Sequence, residues 1–329
     1  MKDALGIEDC YATVFFVPKI VIPDDAPPVL ARSRAYRTLL DRMPAEYFAS
    51  LPGGEAGLIE RIREADIVIN IRSSSRFTEN VFAQCERLRL LSLWGTGTDN
   101  VDLKAAAGRG VTVTNTPGVS AISIAEHCLA LTLSVARRIP RTDAEIRQGR
   151  WPRGEGSQMS GKTLGIVGLG AIGRRFAQLG EAIGMRVIAW TMHPDPSLGF
   201  AIVPLEQLYR ESDVISLHLR LSDETRGLIG EREFAMMKPS AILINTARGP
   251  IVHEPALIEA LRNGRIAGSG IDVFEVEPLP AGHALTTLSN TVLTAHSAGV
   301  TPEALEAGLQ MAVDNVFHFL AGNPTQVVV

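Results

Sequence analysis

Gly168-Leu169-Gly170-Ala171-Ile172-Gly173 stands between a short apolar run, residues 164–167, and a stretch, 174–183, that reads as a helix closed by Gly184. The order is strand, glycine turn, helix. In such a turn the first glycine permits the sharp bend, the second lets the backbone approach a pyrophosphate, and the third lets the helix pack on the strand. Phosphate oxygens then meet the free N–H groups and positive dipole end of the helix. Working outward, apolar runs recur at 187–190, 214–218, 241–246, 266–272 and 292–294, with helical stretches between most of them. That alternation predicts a parallel, doubly wound α/β sheet carrying a dinucleotide site.

Upstream lies a second, smaller set of the same kind. Residues 13–17, 67–71, 90–93 and 111–114 read as strands, and 33–43 and 80–87 as helices, which together predict a first α/β domain. A mostly apolar segment, 122–136, is expected to be a helix crossing from one domain to the other. Residues 137–158 are polar and contain Gly149, Pro152, Gly154 and Gly156, so they read as an exposed connection before the nucleotide fold begins at Gly161. The final helix starts well, with Thr301 as N-cap, Pro302 at the first helical position, and Glu303 and Glu306 complementing the dipole. Leu305, Leu309, Ala312, Val313, Val316, Phe317 and Leu320 fall on one stripe, ended by Gly322. With the nucleotide sheet already complete, that stripe is expected to be buried against the first domain. The resulting division is residues 1–117 with 299–329 for one domain and 118–298 for the other, with a hinge at the two crossings.

The 329 residues are enough for two cores, and a hydrophobic content of 46% fits globular folding. Net charge is −4 without any run of like charges, so neither a nucleic-acid footprint nor an anionic-membrane surface is expected. Residues 1–10 are charged and lack an apolar signal region, and no apolar run reaches bilayer length; a cytoplasmic protein is expected. Cys10, Cys85 and Cys128 are scattered and show no metal-ligand spacing, which predicts reduced thiols and no metal site.

Three segments end strands with functional side chains: Asn245-Thr246-Ala247-Arg248-Gly249-Pro250, Asp272-Val273-Phe274-Glu275-Val276-Glu277-Pro278 and Thr294-Ala295-His296-Ser297. Loops leaving the carboxyl ends of parallel strands converge on the ligand crevice, so an arginine, a glutamate and a histidine are expected to meet there. These segments, with the glycine turn, Gly95-Thr96-Gly97-Thr98-Asp99-Asn100-Val101-Asp102, Asn115-Thr116-Pro117-Gly118 and Met237-Lys238-Pro239, carry a resemblance running from about residue 67 to the end. The sequence resembles the D-isomer-specific 2-hydroxyacid dehydrogenase family.

That resemblance implies a Rossmann dinucleotide-binding domain inserted into a flavodoxin-like substrate domain, and NAD(P)-dependent interconversion of a 2-keto acid and a D-2-hydroxy acid. It places Arg248, Glu277 and His296 at the catalytic positions. It places Asp272 at the nicotinamide carboxamide, and Gly168, Gly170, Ala171, Ile172, Gly173, Thr191, His218, Thr246 and Ala247 along the cofactor. Arg72, Ser74, Gly95, Thr96 and Gly97 would cradle the substrate from the first domain, and a homodimer joined through the cofactor domains is implied. The residue types suit the chemistry. Arg248, always charged and fork-shaped, can hold the substrate carboxylate and polarise a carbonyl that becomes an alkoxide as hydride arrives. His296 supplies the proton, and a neighbouring Glu277 carboxylate favours the imidazolium and fixes its ring.

Some positions depart from the pattern. After the second nucleotide strand the chain reads Trp190-Thr191-Met192-His193, with no carboxylate for the ribose hydroxyls and no arginine for a 2′-phosphate; Asp195 comes slightly late. NAD is the expected cofactor, and NADP stays open. Ala295 replaces the family's usual proline and His253 its usual acidic residue. His127, His253 and the His218 ring read as structural or exposed. Two other readings stand beside the leading one: formate or phosphite oxidation on the same fold, and a nucleotide-sensing corepressor. Glu277 argues against the formate case, where glutamine is usual.

Overall fold

Isoleucine and valine at every position of Ile20–Ile22 leave that stretch no solvent-facing side, and it becomes β1, an inner strand of a parallel sheet. The computed structural model describes residues 17–329. The expected strand at 13–17 therefore lies, except for Val17, outside the described residues, as does Cys10. With β2 (Ala45–Tyr47), β3 (Ile67–Asn70), β4 (Leu90–Leu93) and β5 (Thr112–Thr114), β1 forms a five-stranded sheet of order β2-β1-β3-β4-β5, parallel throughout. This is the flavodoxin-like order. β2 is hidden in the sequence because three residues, Ala45-Glu46-Tyr47, are too few for their alternation to stand out as a strand.

The described residues divide into two compact units, residues 17–115 with 309–329, and residues 116–308. In the first unit one face of the sheet is covered by Leu30, Ala35 and Leu39 together with Leu309, Ala312, Val313 and Val316 from the last helix, Pro302–Leu320. Of the predicted stripe, Leu309, Ala312, Val313, Val316 and Phe317 thus belong to the core around Ile20, Ile22, Ile67 and Ile69, whereas Leu305 lies outside it and Leu320, at the helix end, is exposed. Ser92 Oγ donates to the Ala312 carbonyl at 2.9 Å inside that core. Thr301 caps the same helix, accepting from the Ala304 N–H at 3.2 Å.

In the second unit, β6 (Thr163–Val167), β7 (Arg186–Trp190), β8 (Ala201–Ile202), β9 (Val214–Leu217), β10 (Ile242–Asn245), β11 (Gly268–Ile271) and β12 (Thr291–Leu293) form a seven-stranded parallel sheet. Their order is β12-β11-β10-β9-β6-β7-β8. The reversal between β6 and β9 is the switch point at which a doubly wound sheet opens its ligand crevice. The helix Ala121–Arg137 covers one face through Ala125, Cys128 and Leu131. It lies wholly in the second unit, so the crossing expected of it is not there. A helix also occupies Ile139–Arg147, within the stretch read as connection. It has no buried residue, and without an apolar stripe it left no periodic signal.

Candidate active site

β6 runs directly into the helix Ala171–Ala182, and the glycine turn between them behaves as its spacing requires. Gly168 has φ +100°, a Cβ on Gly173 would sit 2.1 Å from the Gly168 carbonyl oxygen, and a Cβ on Gly170 would meet nothing within 4 Å. Gly168 and Gly173 are therefore closed to side chains, whereas Gly170 opens onto space. No side chain caps the helix, whose leading N–H groups have no intrahelical partners. A turn with open space before an uncapped N-terminus fits a dinucleotide pyrophosphate.

The triad positions lie on three neighbouring loops of the same unit. Asn245, buried at the end of β10, brackets the arginine loop: its Oδ1 accepts from the Ala247 N–H at 3.0 Å and its Nδ2 donates to the Arg248 carbonyl at 3.0 Å. Arg248 Nη1 donates to the Ala247 carbonyl at 2.8 Å. His296 Nδ1 lies 2.7 Å from Glu277 Oε2, and since a carboxylate only accepts, Nδ1 is the donor. Glu277 Oε1 accepts from the Phe274 N–H at 2.9 Å. Burial pushes the Glu277 carboxyl up, but hydrogen bonds from His296 and the Phe274 N–H, with the charges of His296 and Arg248, outweigh it and hold the pKa below its ordinary value. Arg248, Glu277 and His296 are thus electrostatically one cluster.

The cofactor positions divide in two. Gly168, Gly170, Ala171, Ile172 and Gly173 form the turn just described. Thr246 is buried with its hydroxyl 3.2 Å from Cys128 Sγ, and Ala247 follows it, partly exposed. Thr191, after β7, accepts from the His193 N–H at 3.4 Å. His218 follows β9, with Nε2 2.9 Å from Ser216 Oγ and its ring edge-on to Phe176. Burial pushes this imidazole down to about 3, so it is neutral at any working pH. Asp195 is drawn into a local turn, with Oδ1 accepting from Ser197 N and Oγ at 2.9 and 2.6 Å. Asp272 is 1% exposed and tied to the His296 loop, a connection no spacing signalled.

In the first unit, the Arg72 guanidinium donates to the Pro27 carbonyl and stands 4.0 Å from Asp25. Ser74 is exposed. Gly95, at φ +125°, begins the turn after β4, and the Thr96 carbonyl accepts from Asn115 Nδ2 at 2.8 Å, with Gly97 following. Among the described residues no helix is long and apolar enough to cross a membrane, and no group of three or more His, Cys, Asp or Glu is placed to hold a metal ion.

Comparison with known proteins converges on one family. The model of the D-isomer specific 2-hydroxyacid dehydrogenase NAD binding domain matches residues 129–298. A glyoxylate reductase of Aeropyrum pernix is 42% identical over 278 residues, covering 80% of this chain and 83% of that protein. A hydroxypyruvate reductase of Thermotoga maritima is 38% identical over 267 residues, covering 79% and 86%. Among solved structures, the TT0316 protein of Thermus thermophilus superposes with a TM-score of 0.86 at 36% identity, covering 94% of this chain and 100% of that one. An acyclic imino acid reductase in complex with NADPH and D-Arg reaches 0.87 at 30% identity, with the same coverage.

Proposed function

The chain belongs to the D-isomer-specific 2-hydroxyacid dehydrogenase family and is an NAD(P)-dependent oxidoreductase interconverting 2-keto and 2-hydroxy acids; on that premise we propose that Arg248, Glu277 and His296 carry the reaction. The observation behind this reading is the 2.7 Å contact of His296 with a Glu277 carboxylate that also feels the Arg248 charge. In the reductive direction a reduced nicotinamide cofactor, which the glycine turn Gly168–Gly173 would hold by its phosphates, would supply the hydride that the carbonyl carbon takes up. Arg248 binds the substrate's carboxylate side and draws electron density toward the carbonyl oxygen. His296, its Nδ1 proton held by Glu277, releases a proton from Nε2 to that oxygen as the alkoxide forms. Glu277 stays ionised and steadies the ring in both protonation states. Oxidation runs the same proton back onto Nε2.

Cofactor contacts belong to the glycine turn, Thr191, His218, Thr246, Ala247 and Asp272, and the substrate carboxylate to donors among Arg72, Ser74, Gly95, Thr96 and Gly97. Relatives named for glyoxylate and hydroxypyruvate reduction support small 2-keto acids as substrates, and the cofactor of this reading is NAD, with NADP as the alternative. They favour neither formate or phosphite oxidation nor a corepressor role. The test is a panel of glyoxylate, hydroxypyruvate, pyruvate and phenylpyruvate, run with NADH and NADPH in parallel. Turnover is expected with at least one substrate, and a loss of about 10²–10⁴ in kcat for His296→Ala, with Arg248→Ala similarly impaired. Full activity of either variant overturns the assignment. The reading includes a cytoplasmic homodimer; exposed Ile139, Ile146 and Trp151 on the second unit support a covered apolar face. Light scattering at twice the chain mass is the expected result, and a monomer at micromolar concentration removes that part.

A further inference from the structure

Asp272 holds the loop that carries His296. Its Oδ1 accepts from Thr294 Oγ1 at 2.5 Å and from the Ser297 N–H at 2.9 Å, its Oδ2 accepts from the Ala298 N–H at 3.0 Å, and its carbonyl accepts from the His296 N–H at 2.7 Å. His296 itself sits at φ +49°, in the left-handed region, a conformation that persists only where its surroundings enforce it. The bonds from Thr294, Ser297 and Ala298 bracket that residue on both sides.

A histidine from another element completes this arrangement. His127, in the helix Ala121–Arg137, places Nε2 3.0 Å from Thr294 Oγ1 and 3.8 Å from Asp272 Oδ1. The direction of these bonds follows from counting hydrogens. A threonine hydroxyl owns one, and an ionised carboxylate can only accept, so the Thr294 hydrogen points to Asp272. Thr294 then offers His127 only lone pairs, and Nε2 must carry the proton. The chain runs one way: His127 N–H to Thr294 O–H to the Asp272 carboxylate, and from there to the backbone N–H groups flanking His296. An acceptor in place of the imidazole N–H would compete for the Thr294 hydrogen and take it from a carboxylate that is 1% exposed.

We infer that His127 is a positioning residue for the reaction: as donor to Thr294 it fixes Asp272, and through Asp272 the turn that presents His296. The inference rests on His296 being the acid/base. It does not make His127 a catalytic residue.

The test uses five single variants and one double variant of the full chain in 2-keto acid reduction. His127→Leu removes the donor, whereas His127→Gln keeps an N–H at a similar reach. Thr294→Val removes the relay hydroxyl, whereas Thr294→Ser keeps it. His127→Leu is expected to lower kcat by about 10- to 100-fold, the scale of a small misplacement of a reacting group, with KM for cofactor and keto acid held within about threefold. His127→Gln and Thr294→Ser are expected to stay within about threefold of wild type, and Thr294→Val to match His127→Leu. The double variant His127→Leu/Thr294→Val is expected to be no worse than the more damaging single variant, because both cut one chain.

Wild-type kcat in His127→Leu overturns the inference. So does a folded His127→Gln as impaired as His127→Leu, or losses that multiply in the double variant. If His127→Leu does not fold, the Thr294→Ser and Thr294→Val pair decides, equal kcat in the two counting against the chain. His296→Ala in the same assay separates the premise: an active His296→Ala removes the acid/base assignment, whereas an inactive one beside a fully active His127→Leu removes this inference alone.

Discussion

Glu277 and His218 respond to burial with opposite outcomes. At Glu277 burial raises the pKa, but hydrogen bonds from His296 and Phe274 N–H and the charges of His296 and Arg248 bring it below the ordinary 4.5. Its contribution to stability is therefore full above 4.5 and is lost as pH falls through the lower folded value. At His218 burial acts without an opposing charge and takes the pKa from 6.5 to about 3. The unfolded chain takes up that proton first, so stability is present above 6.5 and drains away from there toward 3. The two windows overlap only below 4.5. Melting temperature measured against pH should decline already between 6.5 and 4.5, and His218→Asn should flatten that stretch; an unchanged slope refutes the assignment to His218. Glu277→Gln should leave that stretch alone and remove part of the decline below 4.5. In turnover the same Glu277→Gln should lower kcat by about 10² or more at neutral pH, because the ring loses its charged partner while keeping a neighbour of equal size. A kcat within threefold of wild type would show that His296 needs no carboxylate.

Elements differ in how sharply the chain can be cut between strand, turn and helix, and the glycine turn is the sharpest. Because a Cβ on Gly173 would lie 2.1 Å from the Gly168 carbonyl oxygen, a backbone atom that cannot swing aside, Gly173→Ala must push the helix Ala171–Ala182 away from β6. Overpacking of this kind costs about 1–3 kcal/mol. It also moves the N–H groups meant for phosphate, so calorimetric titration with NADH should show at least about a tenfold weaker Kd, and wild-type affinity would detach the turn from the cofactor. The turn was legible because Gly168 and Gly173 answer local steric demands, and β9 and β10 were legible because strands buried on both faces are mostly apolar, with only Ser216 and Asn245 breaking the pattern. Less marked elements stayed hidden. The helix Ile139–Arg147 buries nothing and so writes no stripe, and β2 is only three residues long. At the site, Arg248, Glu277 and His296 were named from their loops. The roles of Asn245, Thr294 and His127 were not, because each depends on which distant backbone group its side chain meets. The left-handed turn at His296 is equally silent in sequence, since no glycine marks it.

At the scale of the molecule, the first unit is written in two pieces, and its core closes only when residues 309–329 return to it. Leu309 is 1% exposed and shares a cluster with Ile20, Ile22, Ile67, Ile69 and Leu90, residues that are translated long before it. The tail continues the closure: Val113 exchanges backbone bonds with the chain end, its N–H donating to the Val329 carbonyl at 2.8 Å and its carbonyl accepting from the Val328 N–H at 2.7 Å. This pairing covers the β5 edge, which would otherwise present unpaired backbone groups. Contact in space rather than proximity in sequence should then decide where a cavity is felt. Leu309→Ala is expected to cost about 2–5 kcal/mol, as truncation of a buried leucine does. Hydrogen exchange followed by mass spectrometry should show faster exchange in β1, β3 and β4, which the side chain helps to cover, with β6, β9 and β10 unchanged. NADH at saturating concentration should stabilise by mass action and slow exchange around the glycine turn without restoring protection to β1 and β3. Faster exchange confined to the seven-stranded sheet would mean that Leu309 serves the second unit's core, and the division of the chain at residue 309 would have to be redrawn.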